Sequence, residues 1–139
     1  MNTKKVLIDT GPLVALLYKN DNQHFACNSV ARQLTGDIVT CWPVVTEAAW
    51  LLRNVPNGLQ CLFTAIQSEY HILPLGPESV EWIGKFLDKY RDLPAQVADA
   101  ALMYLVDRES IDTVFTLDER DFSVYRTQDR RPMNIIPAR

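Results

Sequence analysis

Residues Lys4–Leu17, KKVLIDTGPLVALL, decide how the rest of the chain is read. Val6, Leu7 and Ile8 form an apolar run too short for a helix and typical of a buried parallel strand. The run ends at Asp9, Thr10-Gly11-Pro12 turns the chain, and Pro12 suits the first turn of a helix over Leu13–Lys19. Asp9 is thereby expected at the carboxyl end of a strand, where open α/β sheets place their ligands.

Outward from this stretch, helical and strand patterns alternate. A second helix is expected over His24–Leu34, with Phe25, Val30, Ala31 and Leu34 on its apolar face. A strand over Ile38–Cys41 leads into a helix opened by Trp42-Pro43 and ended by Asn54 and Pro56. Further helices are read at Leu59–Ser68 and Glu78–Tyr90, and a long apolar one from Pro94 to Arg108. Strands are read at Tyr70–Leu73, Thr113–Thr116 and Met133–Ile136. This alternation predicts a parallel sheet with right-handed crossovers, in a single domain over residues 1–139.

Two helices carry a carboxylate in apolar company. In WPVVTEAAWLL, Trp42–Leu52, Glu47 is the only ionisable residue; in PAQVADAALMYLV, Pro94–Val106, the only charge is Asp99. A helix apolar all round is a buried helix, and an ionised carboxylate buried there requires a partner or a proton. With the first and fourth strands adjacent, Asp9, Glu47 and Asp99 converge on one crevice. Two carboxylates about 4 Å apart repel by about 4 kcal/mol at an effective dielectric of 20. No lysine lies near them in sequence, so a metal is the economical neutraliser, and an all-oxygen donor set selects Mg²⁺ or Mn²⁺. Asp118 follows the fourth strand as Asp9 follows the first, either as a fourth acid of the crevice or as a turn or helix cap. Asp121 reads as a surface or capping residue. Asp92 is expected to cap the long helix, with an outer-shell or second-metal place as the alternative.

The bulk properties narrow the function classes. A net charge of −3, with 47% hydrophobic and 22% charged residues, describes an ordinary folded domain and argues against non-specific coating of nucleic acid. Cys27, Cys41 and Cys61, widely spaced, read as reduced and buried, as in a cytoplasmic protein. With only two histidines, His24 and His71, a His/Cys metal cluster is nearly ruled out. The Lys4-Lys5 start mimics a signal peptide, but Asp9 and Pro12 interrupt it, and no membrane-spanning run is present.

Four pieces of the chain, LIDTGPLVALL, TEAAWLL, DLPAQVADAALMYLV and VFTLDERDFSVYR, together resemble the PIN-domain ribonucleases, and most closely the VapC-like toxins of type II toxin–antitoxin pairs. They occur in the family's order and span nearly the whole chain. The resemblance implies a three-layer α/β/α sandwich around a central parallel sheet of about five strands. It matches Asp9, Glu47, Asp99 and Asp118 to the family's four acids, and Thr10 and Thr116 to hydroxyl positions beside them. It implies metal-dependent hydrolysis of RNA (tRNA, rRNA or mRNA), with Mg²⁺ held by Asp9 and Asp99 and the acidic cup completed by Glu47 and Asp118. It also implies a small antitoxin partner with a basic tail and a homodimer. Apolar groups offered for that dimer are Leu62, Phe63, Ile66, Trp82 and Phe86. Asp121 stands where such sequences often carry a basic residue or histidine.

An acidic cup repels RNA, so cations are expected on its rim: Lys19, Arg53, Arg91, Arg120, Arg126, Arg130 and Arg131 are the candidates. Trp50, Trp82 and Tyr125 are candidate base-stacking rings, with core packing favoured for the first two. Three rivals compete. A phospho-receiver domain needs an acceptor Asp after the third strand and a lysine after the fifth, yet Leu73-Pro74-Leu75 stands there and no lysine follows Lys89. A haloacid-dehalogenase-type phosphatase needs a second Asp at the position of Gly11. A catalytically idle RNA- or protein-binding module is the third.

Overall fold

The computed structural model describes residues 4–127 and 131–137; the candidate rim cation Arg130 lies outside them. Five strands, β1 (Lys5–Ile8), β2 (Asp37–Thr40), β3 (His71–Ile72), β4 (Thr113–Phe115) and β5 (Asn134–Ile136), form one sheet in the order β3-β2-β1-β4-β5. Every pairing is parallel, as the alternation predicts. The helices are α1 (Thr10–Leu17), α2 (His24–Gln33), α3 (Trp42–Leu52), α4 (Gly58–Ser68), α5 (Ser79–Lys89), α6 (Val97–Glu109) and α7 (Glu119–Phe122).

From β1 the chain steps outward through β2 to β3, then returns across the sheet to β4 and continues to β5. Right-handed crossovers therefore put α1–α4 on one face and α5–α6 on the other, which is the three-layer sandwich expected. Direction reverses between β1 and β4. That is the switch point, where the carboxyl ends of two strands diverge and leave a crevice. Leu7, Ile8, Val39, Val114 and Phe115 are buried on the strands, and Ala100–Val106 of α6 is buried without interruption. Among the described residues no helix is long and apolar enough to cross a membrane.

Several local expectations are corrected. Phe25 is 86% exposed. The stripe of α2 that meets the core runs through Cys27, Val30, Ala31 and Leu34, at i, i+3, i+4 and i+7, and Phe25 falls off it. Cys27 and Cys41 are buried, but Cys61 is exposed. Leu62 and Phe86, offered as dimer contacts, are buried in the core, while Phe63 is exposed and Ile66 and Trp82 are half-buried. Helix α6 starts at Val97 rather than Pro94, with Gln96 at its N-cap, so Asp92 does not cap it and lies exposed in the preceding turn. The short helix α7 escapes the pattern reading because a single turn has no periodicity to detect.

One glycine is required by close approach. A Cβ on Gly36 would lie 1.9 Å from the carbonyl oxygen of Lys4, where the Asp37 N–H joins β2 to β1. Backbone cannot yield as a flexible side chain does. Gly36→Ala should therefore destabilise the protein by about 3 kcal/mol, read as a lower denaturant midpoint at unchanged slope.

Candidate active site

Three of the four acids owe their position to an element end, and Glu47 to the middle of a helix. Asp9 follows β1 and is the N-cap of α1, where a carboxylate can accept the free amides of the first turn. Its Oδ1 accepts the Thr10 N–H at 2.8 Å, and its Oδ2 accepts the Thr116 hydroxyl at 2.8 Å across the β1–β4 boundary. The same Thr116 oxygen accepts the Asp118 N–H at 2.9 Å, so one hydroxyl ties together the segments that leave the two strands. Glu47, in the second turn of α3, accepts the Thr10 hydroxyl at 3.3 Å. Asp99 is the third residue of α6, and its Oδ2 accepts the Gln96 N–H at 3.3 Å and the Tyr125 hydroxyl at 3.1 Å. Asp118 is the N-cap of α7, accepting the Asp121 N–H at 3.2 Å. Asp118 thus both caps α7 and lines the crevice.

These acids line one cleft of about 400 Å³, together with Thr10, Gly11, Leu51, Pro94, Gln96 and Leu117. Among the described residues, no lysine, arginine or histidine lines it. Asp92 is not on its wall, and Asp121 is buried behind Asp118. His24 binds the Ala15 carbonyl through Nδ1 and His71 lies on the sheet strand β3, so neither reaches the acids.

Asp9 is 9% exposed, and burial pushes its carboxyl up to about 6. Hydrogen bonds from Thr10 and Thr116 pull it down in part, while the charges of Asp99 and Glu47 raise it further. Asp99 is raised chiefly by burial, with the charges of Asp118 and Asp121 adding to the rise. Cys41, just before α3, is pushed up to about 12 by burial, which leaves a neutral thiol poorly suited to ligate a metal. The all-oxygen donor set suits a hard divalent ion. Among the described residues, however, no three His, Cys, Asp or Glu side chains are gathered tightly enough to make a ready ligand set. The acids are held by hydrogen bonds from Thr10, Thr116, Gln96, Tyr125 and Asp121.

Comparison with known proteins follows the same lines. Ribonuclease VapC26 of Mycobacterium tuberculosis is 27% identical over 135 residues, 95% of this chain and all of that protein. The crystal structure of M. tuberculosis VapC20, described as a sarcin-ricin loop cleaving toxin, superposes with a TM-score of 0.73 at 17% identity, over 83% of this chain and 91% of that one. The chain has the fold of the VapC-like PIN domains. A toxin–antitoxin complex from Klebsiella pneumoniae (TM-score 0.66, 13% identity, 86% and 91% covered) shares this fold. So does VapBC2 of Rickettsia felis bound to promoter DNA (TM-score 0.61, 12% identity, 94% and 96% covered). No family model matches the chain.

Around this PIN-type cleft the predicted rim is only partly present. Arg120 is exposed in a hollow that shares Leu117 and Asp118 with the cleft. Arg53 stacks its guanidinium 3.7 Å from the centroid of the Trp50 ring. Trp50, against the core-packing expectation, is 63% exposed one turn beyond Glu47 and beside the cleft residue Leu51. Lys19 is not a rim residue, because the eight residues of α1 carry it about 12 Å away from the strand ends. Arg126 donates to the Ser123 and Tyr125 carbonyls and lines a separate hollow with Lys89 and Tyr90. Arg91 pairs with Asp88 at 3.7 Å, and Arg131 is exposed beside Thr127, with neither on the cleft wall. Tyr125, offered as a stacking ring, is fully buried against Asp99, and Trp82 stacks on Phe86. Nothing in the local pattern of residues 119–126 signals the Tyr125–Asp99 bond, since the two lie 26 positions apart.

Proposed function

We propose that the protein is a Mg²⁺-dependent endoribonuclease, the toxin of a toxin–antitoxin pair, with Asp9, Glu47, Asp99 and Asp118 as its catalytic acids. The observation that carries this reading is a cleft at the sheet's switch point whose wall, among the described residues, has four carboxylates and no basic side chain. The fold of the VapC-like relatives supports it, and so does the ribonuclease description of VapC26. Asp9 and Asp99 would hold the ion, with Glu47 and Asp118 completing the cup; Mn²⁺ has the same ligand preference. When bound, such an ion neutralises the scissile phosphate and lowers the pKa of water.

The chain's own residues do the rest. Glu47, half-buried and accepting the Thr10 hydroxyl, would orient the attacking water and take its proton. Thr116 fixes the Asp9 carboxylate, and through the Asp118 N–H it fixes the wall opposite α3. Water oxygen bonds to phosphorus as the P–O3′ bond breaks, and the departing 3′-oxygen takes a proton from solvent, leaving a 5′-phosphate and a 3′-hydroxyl. The exposed Trp50–Arg53 pair and Arg120 supply stacking and positive charge beside the acids. The antitoxin partner is proposed with a basic segment entering the acidic cleft; two of the structural relatives are toxin–antitoxin assemblies. A homodimer and a cytoplasmic location are proposed with it.

The test is incubation of pure protein with tRNA and rRNA, with Mg²⁺ or chelator, beside Asp99→Asn. Mg²⁺-dependent cleavage absent from the variant is expected; equal cutting by both proteins overturns the assignment. A non-catalytic RNA-binding module is the second reading, favoured by the acids' not forming a ready ligand set, and it predicts RNA bound but intact. Arg120→Ala should weaken RNA binding and reduce the slope of log affinity against log salt by about 0.7, the value for one phosphate contact on a single strand. Fluorescence-anisotropy titrations at several salt concentrations measure both.

A further inference from the structure

Three of the cleft acids each accept one side-chain hydroxyl: Asp9 from Thr116, Glu47 from Thr10 and Asp99 from Tyr125. The two threonines are part of the cleft's immediate frame. Tyr125 reaches in from the far side, beyond α7, and is 0% exposed. The rings of Phe86, Tyr90 and Phe122 surround it with centroids at 5.0, 5.0 and 5.1 Å. So confined, the ring has one place to put its hydroxyl, and that is Asp99 Oδ2 at 3.1 Å.

Asp99 sits in the first turn of α6, where a carboxylate is ordinarily free to swing between the helix amides and solvent. The Gln96 N–H alone holds it loosely, at 3.3 Å. A second donor on the same oxygen fixes the rotation of the carboxylate and leaves Oδ1 for the cleft. We propose that Tyr125 is a positioning residue for the divalent-ion site, orienting Asp99 through Oδ2 so that Oδ1 is presented to the ion. This inference rests on the ion-dependent reading given above. Outer-shell partners of metal-binding carboxylates act in this way, by reducing the freedom of the ligand before the ion arrives.

The experiment is a calorimetric titration of Mn²⁺ into the wild-type protein and into Tyr125→Phe, Tyr90→Phe and Asp99→Asn. Tyr90 belongs to the same aromatic cluster, but its hydroxyl accepts the Arg126 N–H, so it controls for loss of a tyrosine hydroxyl from that cluster as such. Tyr125→Phe is expected to bind Mn²⁺ about 10- to 100-fold more weakly, with Tyr90→Phe within twofold of wild type. Wild-type affinity in Tyr125→Phe, with Asp99→Asn impaired, overturns the role of Tyr125 alone. Wild-type affinity in Asp99→Asn overturns the ion-site reading beneath it. A measurement on the unaltered protein covers the case in which Tyr125→Phe does not fold: Mg²⁺ should shift the Tyr125 ring resonances and leave those of Tyr90 in place. Unmoved Tyr125 resonances at saturating Mg²⁺ overturn the proposal.

Discussion

Asp9→Asn should abolish RNA cleavage and at the same time raise the melting temperature of the metal-free protein. The loss follows if Asp9 is an ion ligand: outer-shell changes alone cost up to about 100-fold, and removal of a direct ligand costs no less. The gain follows from burial. The Asp9 carboxyl is raised from 3.8 to about 6, so the folded chain favours its protonated form. Below pH 3.8 both folded and unfolded states hold the proton, and the group costs nothing. Between there and about pH 6 the unfolded state ionises first and stability falls; above it the full penalty is present. At pH 7 this is about 3 kcal/mol. Asparagine keeps N-cap geometry and can bond Thr10 and Thr116 without a buried charge, so a rise of several degrees is expected at pH 7 and little change at pH 4. Calorimetric scans at both pH values, beside a gel assay of cleavage, check the pair of outcomes. A melting temperature lower than wild type at pH 7 would show that the Asp9 charge is compensated in the free protein.

Mg²⁺ should stabilise the wild-type chain and leave Asp99→Asn unmoved. Three of the cleft's carboxylates lie on or beside elements that pack on one another (α1, α3 and α6), and among the described residues no lysine, arginine or histidine in the wall offsets their repulsion. An ion bound only by the folded state at ten times its dissociation constant adds about 1.4 kcal/mol. Thermal shifts in Mg²⁺, Mn²⁺ and chelator measure it, and the same chelator should silence cleavage completely. A wild-type shift equal to that of Asp99→Asn would assign the effect to general ionic strength rather than to the cleft.

The acids were legible because each has a strong local signature. Asp9 closes an apolar strand, and Glu47 and Asp99 are single charges in apolar helices. Yet the reason given for Asp99 was incomplete. It stands in the first turn of α6, not in the middle of a buried helix, because Pro94 and Gln96 delay the start to Val97. The rim was the least legible part. Lys19, Arg53, Arg120 and Arg126 look alike in sequence, but helix length removes Lys19, carbonyl contacts turn Arg126 to another hollow, Arg53 stacks on Trp50, and Arg120 occupies a hollow that adjoins Asp118. Trp50 and Tyr125 exchanged their expected places for a related reason. A ring's burial depends on what another segment lays across it, and neither ring's neighbours in sequence say what that segment is.

The sequence by itself determined the order of the strands and the longer helices, the parallel sheet and the isolated acids on apolar elements, because hydrophobic period and turn chemistry act between neighbours along the chain. Only the tertiary structure decided that Thr116 bonds Asp9 from 107 residues away, that Tyr125 bonds Asp99, and which cations reach the cleft. Those contacts join segments whose spacing carries no periodic signal. They exist because β1 and β4 became neighbours and the aromatic cluster closed behind α6.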